Sequence, residues 1–315
     1  MAAFRRDRMK GWLVVLAAFV APVQASVSSG LDAINWNHGS DDCARNRDPA
    51  IEVHRFDADS YILRQNKCVN FEAPFMYVLF GQQTVFVLDT GATADAKQFP
   101  LYETVKGLIA QRKQQETRIL VAHSHSHGDH RSADPQFRGK PGVTLVEANA
   151  NAVREYFGFS AWPNGSAKVD LGGRLLEVVP APGHQDEGIA VYDSRTGWLL
   201  TGDTLYPGRL YVRNWNEFRS SIARLVKFSE SRRVSAVLGA HIEMSSSGKL
   251  FEPGSTFQPN EANLALTSVD LSRLDQVLRD AGDEPKEVVT ARFAVVPIGA
   301  FQRVLSDVLG WIAGR

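Results

Sequence analysis

Six consecutive residues of this sequence contain four side chains of the types that bind metal ions: His125-Ser126-His127-Gly128-Asp129-His130. Residues 118–122 just before them form an apolar stretch that is typical of a buried strand. Successive side chains of an extended segment alternate in direction, so His125, His127 and Asp129 should point to one side. His130 should point elsewhere, toward a second ion held nearby. Imidazole and carboxylate groups suit zinc sites that keep a position open for water.

Two metal ions need more ligands than this stretch supplies, so we expect others at the ends of later strands. Three candidates follow apolar stretches: His184 in Ala181-Pro182-Gly183-His184, Asp203 in Thr201-Gly202-Asp203-Thr204, and His241 in Gly239-Ala240-His241. A glycine one or two positions earlier should let the backbone approach the metals closely. A lone histidine or aspartate after a strand is more often a capped or solvated group. Together with the six-residue stretch, however, the three predict one ligand set.

The pattern around these residues alternates short strands with helices. Predicted strands span 51–56, 61–65, 75–80, 84–88, 118–122, 143–147, 174–180, 189–193, 198–201 and 234–238, and predicted helices span 148–157, 217–228 and a segment from 101 to about 115. The tail adds a helix at 271–278, a strand at 288–296 and a closing helix at 301–312. Strand-rich halves that are each followed by helices predict an α+β fold, a four-layer αββα sandwich.

The motif set, which begins with Asp89-Thr90-Gly91, resembles in order and spacing the metallo-β-lactamase superfamily over residues 51–244. The resemblance implies one catalytic domain at 26–315 with an extension at 260–315. It also implies two Zn²⁺ ions, although other divalent metals such as Fe or Mn fit the same ligand types. The implied first-metal ligands are His125, His127 and His184, the second-metal ligands are Asp129, His130 and His241, Asp203 bridges both ions, and Asp89 orients ligands through hydrogen bonds.

The resemblance further implies a hydrolase in which a metal-bridging hydroxide attacks an ester, thioester or lactone, with Asp129 and Asp203 as catalytic residues. A glutamate replaces His127 in flavodiiron proteins, and cysteine or serine replaces Asp203 in true zinc β-lactamases. Both residues here argue against those activities. Glutathione-binding positions of the hydroxyacylglutathione hydrolases are not evident. The alternatives are activity on β-lactams, a single-iron dioxygenase of the persulfide-dioxygenase type, and a non-catalytic exported metal-binding protein.

The segment after Asp203 gathers aromatic and basic side chains beside the metals. We expect it to grip a small-molecule substrate with an apolar body and an anionic end. The alternative is a packed loop whose aromatic rings belong to the core. The candidates are Tyr206, Arg209, Tyr211, Arg213 and Trp215. The sequence shows no general base beside any of the three nearby serines, so we interpret them as small polar residues without a catalytic role: Ser124, Ser126 and Ser132. We interpret His123 as a packed or ligand-orienting residue.

Residues 1–25 begin with basic residues, continue with an apolar run of about ten residues and end with small residues typical of a cleavage site. This pattern predicts a secretory signal peptide. The alternative is an uncleaved amphipathic tether. Cleavage removes four basic residues and one acidic residue from 35 of each, leaving 31 basic and 34 acidic residues. This balance gives no reason to expect nucleic-acid binding. We expect a periplasmic or secreted protein without stable membrane insertion, and the oligomeric state stays open.

Two cysteines, Cys43 and Cys68, stand 25 positions apart in the early mature region. Export would place them in an oxidising compartment, where a disulfide between them could persist. Two unpaired cysteines are the alternative, because the sequence does not report how far apart the Cα atoms lie. Neither cysteine has a second cysteine at zinc-ribbon spacing, so a structural zinc site there is not expected.

Overall fold

The first half of the chain forms a six-stranded sheet in a computed structural model that describes residues 30–112 and 117–299. Its strands are neighbours in chain order, antiparallel from the first to the fourth and parallel from the fourth to the sixth. They are β1 (Ile51–Arg55), β2 (Ser60–Gln65), β3 (Phe75–Phe80), β4 (Thr84–Leu88), β5 (Arg118–Ala122) and β6 (Val143–Leu145). The helices of this half are α1 (Leu101–Gln111), α2 (Gly128–Arg131), α3 (Asp134–Phe137) and α4 (Ala150–Phe157), and a 3-10 turn spans Leu31–Ala33.

The second half contributes a six-stranded sheet and a three-stranded sheet. Its strands are β7 (Ala167–Asp170), β8 (Leu175–Pro180), β9 (Ile189–Asp193), β10 (Trp198–Gly202), β11 (Arg209–Val212), β12 (Ala236–Gly239), β13 (Ala265–Leu266), β14 (Val288–Val289) and β15 (Ala294–Pro297). The large sheet has the order β13-β12-β10-β9-β8-β7, and the small one β11-β15-β14. Its helices are α5 (Trp215–Glu230) and α6 (Ser268–Ala281).

Three apolar clusters fill the spaces between four layers. Successive side chains of a strand point to opposite faces of its sheet, so each sheet packs against a different layer on each face. In β4, Val85 and Val87 face α1 and α3, whereas Phe86 and Leu88 face the second sheet. The outer surface of that second sheet packs against α5 and α6, with Phe218 among the buried contacts. Strands that are buried on both faces explain the nearly continuous apolar stretches of the sequence. The predicted α+β αββα sandwich is therefore confirmed.

Several element boundaries differ from the sequence predictions. Strands β7, β11 and β13 were not predicted, and α1 ends at Gln111 rather than near 115. The single strand predicted at 288–296 is two antiparallel strands, β14 and β15, because Thr290 and Phe293 close a turn between them. The signal segment at 1–25 and the closing helix at 301–312 lie outside the described residues. Within residues 30–112 and 117–299, every helix is too short or too polar to span a bilayer.

A disulfide joins Cys43 to Cys68, with their Cα atoms 5.1 Å apart. This is the first of the two alternatives that the sequence left open. The bond attaches the segment before β1 to the connection between β2 and β3. The same connection contains Lys67 and Glu72, which line a cavity. The disulfide therefore fixes the position of a segment that contributes to this cavity.

The two large sheets bring their strand ends together at one edge. β4 and β5 are parallel, and β8, β10 and β12 share one direction because β9 is antiparallel to both β8 and β10. Backbone hydrogen bonds connect the sheets at this edge, from Ile189 to the Ser124 carbonyl at 2.8 Å and from Phe75 to the Ala240 carbonyl at 2.7 Å. The residues that follow these strands therefore meet in one place.

Candidate metal centre

A first group of metal-type side chains lies at this edge and contains His125, His127, His184 and Asp203. His127 Nδ1 is 3.0 Å from His125 Nε2 and 3.1 Å from His184 Nε2. Asp203 Oδ2 is 3.8 Å from His125 Nε2 and 3.6 Å from His184 Nε2. All four candidate ligand atoms lie within 4.8 Å of one another, which is compact enough to surround one ion.

A second group adjoins the first and contains Asp129, His130, His241 and, again, Asp203. Asp129 Oδ2 is 3.2 Å from Nε2 of both His130 and His241. Asp203 Oδ1 is 3.4 Å from the same two nitrogens. The structure therefore brings the seven predicted ligand residues into two groups whose membership matches the one that the resemblance implies.

Asp203 is the residue that the two groups share, one carboxylate oxygen facing each. Its Oδ1 is buried and has no hydrogen-bond partner. Burial would raise the pKa of this carboxyl, but His241 and His130 hold it well below its usual range, so the group is ionised. Nε2 of His130 and Nε2 of His241 each lie 3.4 Å from this oxygen without a hydrogen bond of good geometry, and a buried anionic oxygen that lacks a well-aligned donor is stabilised when a cation approaches it. The residues present therefore fit a pair of cations.

The histidines of the two groups differ in protonation when no metal is bound. Burial, together with the neighbouring His130, holds the pKa of His125 well below its usual range, and burial and His184 lower that of His127 to about 4. Burial acts in the same direction on His241, but Asp203 and Asp129 raise its pKa to about 9. The first two rings are thus neutral, the form that binds metal, whereas His241 must release a proton first.

Hydrogen bonds from neighbouring residues orient three of the histidine rings. His184 Nδ1 lies 2.7 Å from the Tyr211 carbonyl, and His241 Nδ1 lies 3.0 Å from the Glu72 carbonyl. Because a carbonyl oxygen only accepts hydrogen bonds, both Nδ1 atoms are donors. Each Nε2 then faces the other ligand side chains of its group. The third ring is that of His130, whose Nδ1 is 3.0 Å from Asp89 Oδ2.

Ser124 has a larger role than the small polar filler that the sequence suggested. Its backbone N–H and its hydroxyl both donate to Asp89, at 2.7 and 2.9 Å. Its Oγ is also 3.2 Å from Nδ1 of both His125 and His130. Ser126 and Ser132 contact neither ligand group in this way. The backbone N–H of Ser126 donates to the Glu187 carboxylate, and the Ser132 hydroxyl donates to the Gly128 carbonyl. Ser124 directly precedes the motif, and this adjacency was the one available signal.

The glycines before the later ligands make room for neighbouring protein groups. A Cβ on Gly183 would lie 2.4 Å from the Phe218 backbone, and one on Gly202 would lie 2.4 Å from Ser124 Cβ. Both glycines also have positive φ, 132° and 52°. Close helix packing and close sheet packing therefore require them, a role that the sequence did not indicate.

Gln185 is a further residue at the site that the sequence analysis did not single out. It directly follows His184, is 6% exposed, and its side chain contacts Nε2 of His127. Its Oε1 accepts a hydrogen bond of 2.9 Å from Arg213. His123, by contrast, is packed away from both groups, with Nε2 2.8 Å from Asp134, in keeping with a structural role.

The five predicted substrate residues occupy different surroundings. Arg209 and Tyr211 line a cavity beside the centre, and Arg213 contacts Gln185. Tyr206 is 2% exposed and its hydroxyl donates to the Arg209 carbonyl, and Trp215 is 5% exposed and donates to the Gly282 carbonyl. The structure thus brings two of the five to a possible substrate cavity and buries two others in the interior.

An αββα sandwich with two adjoining His/Asp groups at one edge defines a class of metal-dependent hydrolases. A family model described as the metallo-beta-lactamase superfamily matches residues 69–241. The chain belongs to this superfamily and is a metal-dependent hydrolase.

Several known proteins are similar to the chain. The acyl-coenzyme A thioesterase MBLAC2 of Homo sapiens is 24% identical over 221 residues, 58% of this chain and 77% of that protein. The hydroxyacylglutathione hydrolase of Rhizobium meliloti is 24% identical over 148 residues, 46% of this chain and 56% of that protein. A metallo-beta-lactamase from Pontibacter korlensis superposes with a TM-score of 0.50 at 18% identity, covering 73% of this chain and 99% of the other. TMB-1 gives 0.51 at 15% identity, with 75% and 100% covered. The two structural likenesses support the fold alone.

Proposed function

We propose that this protein is an exported hydrolase that binds two divalent metal ions, with zinc as the expected metal, and cleaves an ester, thioester or lactone. The single observation that carries the proposal is the position of Asp203, whose two oxygens face different ligand groups. The name of the human relative supports the thioester class. The Cys43–Cys68 disulfide supports export, because such bonds persist in oxidising compartments.

In this proposal each of the two ligand groups binds one metal ion. His125, His127 and His184 would hold one ion, Asp129, His130 and His241 would hold the other, and Asp203 would contribute to both sites. A bound pair of divalent ions lowers the pKa of a shared water and polarises the attacked carbonyl.

Asp129 is the residue in the second group that we expect to touch the attacking water. Its side chain is 20% exposed, whereas those of His130, His241 and Asp203 are at most 8% exposed. Burial would raise its pKa, but His130 and His241 hold it well below its usual range. A carboxylate that stays ionised accepts a hydrogen bond well and keeps a proton poorly. Asp129 would therefore orient the water, accept a proton from it and pass that proton to the leaving oxygen or sulfur.

The test is a hydrolysis screen of the zinc-loaded protein with Asp203→Ala as the decisive variant. Wild type should contain about two zinc ions per chain and should hydrolyse at least one ester, thioester or lactone. Asp203→Ala should lose at least one ion and reduce kcat by orders of magnitude, roughly 10²-fold or more. Asp280→Ala, an exposed substitution on α6, is the control and should change neither value.

Three results would contradict the proposal in whole or in part. A single iron per chain in the purified protein would favour the dioxygenase alternative. Retention of two zinc ions and near-normal turnover by Asp203→Ala would remove the bridging role on which the proposal depends. Hydrolysis of β-lactams alone would keep the metal centre and replace the substrate class.

A further inference from the structure

A cavity of about 110 Å³ lies against the supports of both ligand groups. Its wall includes Glu72, whose carbonyl faces His241, and Tyr211, whose carbonyl faces His184. The cavity therefore adjoins residues that support the candidate ligands, which is where a group next to the reacting carbonyl of a substrate would lie. The wall also includes Lys67, Arg209, Glu243, Glu252 and Gln258.

The charges around the cavity are largely matched within the protein. Arg209 lies 3.9 Å from Glu243 Oε2, which also accepts a hydrogen bond from the Arg209 backbone at 2.9 Å. Lys67 Nζ lies 4.0 Å from Glu261, which Arg64 holds through two hydrogen bonds of 2.6 Å. Glu252 is exposed to solvent, and Glu72 is attracted by His241 of the centre and repelled by Asp129. A neutral ligand group fits such surroundings better than a charged one.

Two buried polar groups in the wall nevertheless lack good partners. Gln258 is 5% exposed, and its Oε1 is buried without a hydrogen-bond donor. Lys67 is 2% exposed, and its contacts are long, 3.5 Å to the Phe71 carbonyl and 4.0 Å to Glu261. A buried acceptor without a donor costs free energy, and so does an ammonium group with weak acceptors. A ligand that both donates and accepts would relieve both.

We propose that this cavity binds a neutral secondary amide of the substrate. The amide N–H donates to Gln258 Oε1, and the amide carbonyl accepts from Lys67 Nζ. In a trans secondary amide the N–H and the C=O point in opposite directions within one rigid plane, and the few heavy atoms of the group fit a cavity of this volume. The inference rests on the proposed hydrolase function and narrows its substrates to esters or thioesters with an amide a few bonds from the scissile carbonyl.

The test compares substrates that differ in one atom. S-butyryl-N-acetylcysteamine has an amide two carbons from sulfur, and S-butyryl-2-mercaptoethyl acetate has an ester oxygen in place of the N–H. A second pair, S-ethyl N-acetylthioglycinate and S-ethyl acetoxythioacetate, makes the same change on the acyl side. For at least one pair, wild-type kcat/KM should favour the amide about tenfold or more, because the oxygen analogue leaves Gln258 unpaired.

Substitutions of the cavity residues test whether the preference for the amide substrate arises in this cavity. Gln258→Leu should abolish the preference by lowering kcat/KM for the amide about tenfold, with the ester analogue nearly unchanged. Lys67→Met should also reduce the preference. Gln98→Leu and Lys249→Met, both at exposed positions, are the matched controls and should keep the wild-type ratio.

Hydrolysis of both members of each pair at equal rates would overturn the amide proposal and leave the hydrolase function standing. If the zinc-loaded enzyme hydrolysed neither pair, the hydrolase function would be in question, and binding would decide the inference separately. Saturation-transfer NMR should then detect N-ethylacetamide more strongly than ethyl acetate on wild type, and equally weakly on Gln258→Leu. An equal signal for both probes on wild type would overturn the inference.

Discussion

Asp89 connects the backbone at the end of β4 to the second ligand group. Its φ is 68°, a left-handed conformation that aspartate and asparagine tolerate better than most residues. Its carboxylate accepts from the Ser124 backbone, from the Ser124 hydroxyl and from His130. Losing the anionic acceptor should leave His130 less firmly oriented. We expect Asp89→Asn to weaken metal binding at the second group by about 10- to 100-fold.

Competition with a chromophoric chelator measures this effect, and the chain offers a matched control. Asp134 is also a buried aspartate that contacts a histidine, but its partner His123 belongs to neither ligand group. Asp134→Asn should leave both metal affinities close to those of wild type. Equal affinities in Asp89→Asn and Asp134→Asn would show that Asp89 does not orient a ligand.

The different pKa values of the two groups predict different pH dependence of metal binding. His241 has a raised pKa of about 9, so metal must displace its proton at any pH below that value. Affinity at the second group should rise from pH 6 to pH 9, by roughly tenfold per pH unit for each proton displaced, and then level off. His127, with a pKa of about 4, is already neutral over this range, so affinity at the first group should change little. Zinc titrations by calorimetry in two buffers of different ionisation enthalpy count the protons released, and pH-independent binding at both groups would contradict the expectation.

Among the secondary-structure elements, those with local sequence patterns could be predicted and those that depend on distant partners could not. Strands β3, β4 and β5 are apolar on both faces, and the helical spacing of Leu101, Val105 and Leu108 is visible within α1. β11 lies in a segment that the sequence analysis interpreted as a substrate loop, and it forms a strand by pairing in parallel with β15. β13 has just two residues and, among the described residues, pairs with β12 alone. Neither pairing leaves a local signal.

The disulfide acts on the connection between β2 and β3, which carries Lys67 and Glu72. Its loss frees a loop of 25 residues in the unfolded chain. The paired substitution Cys43→Ser/Cys68→Ser should therefore lower the free energy of unfolding by about 3 kcal/mol. Urea unfolding of both proteins measures the difference, and reduction of wild type with a thiol should reproduce it. Unchanged stability in the variant would mean that other contacts fix the segment.

Within the whole molecule, the ligand set was predictable and the surroundings of the site were not. Each ligand lies in or next to a motif that follows an apolar strand, and shared strand direction brings those ends together. Lys67, Glu72 and Gln258 have no comparable pattern. They reach the site through long-range contacts, such as the one between the Glu72 carbonyl and His241. A sequence therefore indicates candidate metal ligands more readily than the residues that line the cavity beside them.

Both ligand groups draw side chains from both large sheets, so metal binding should hold the two sheets together. His125 to His130 follow β5 of the first sheet, whereas His184, Asp203 and His241 follow strands of the second. At a free metal concentration about a thousandfold above Kd, one site adds about 4 kcal/mol of stability. Chelation should therefore lower Tm by about 10 °C for a chain of this size. Calorimetry with and without EDTA tests this, and re-addition of zinc should restore the original value.

The position of His241 also dictates when during biosynthesis the metal centre can be completed. The first group lacks its last member until residue 203 has been synthesised, and the second until residue 241. The first sheet can form earlier, but a nascent chain that stops before residue 241 has only part of a binding site. Full metal uptake must therefore follow translation of most of the polypeptide. A protein truncated before this point should emerge from the ribosome unable to retain a complete pair of ions.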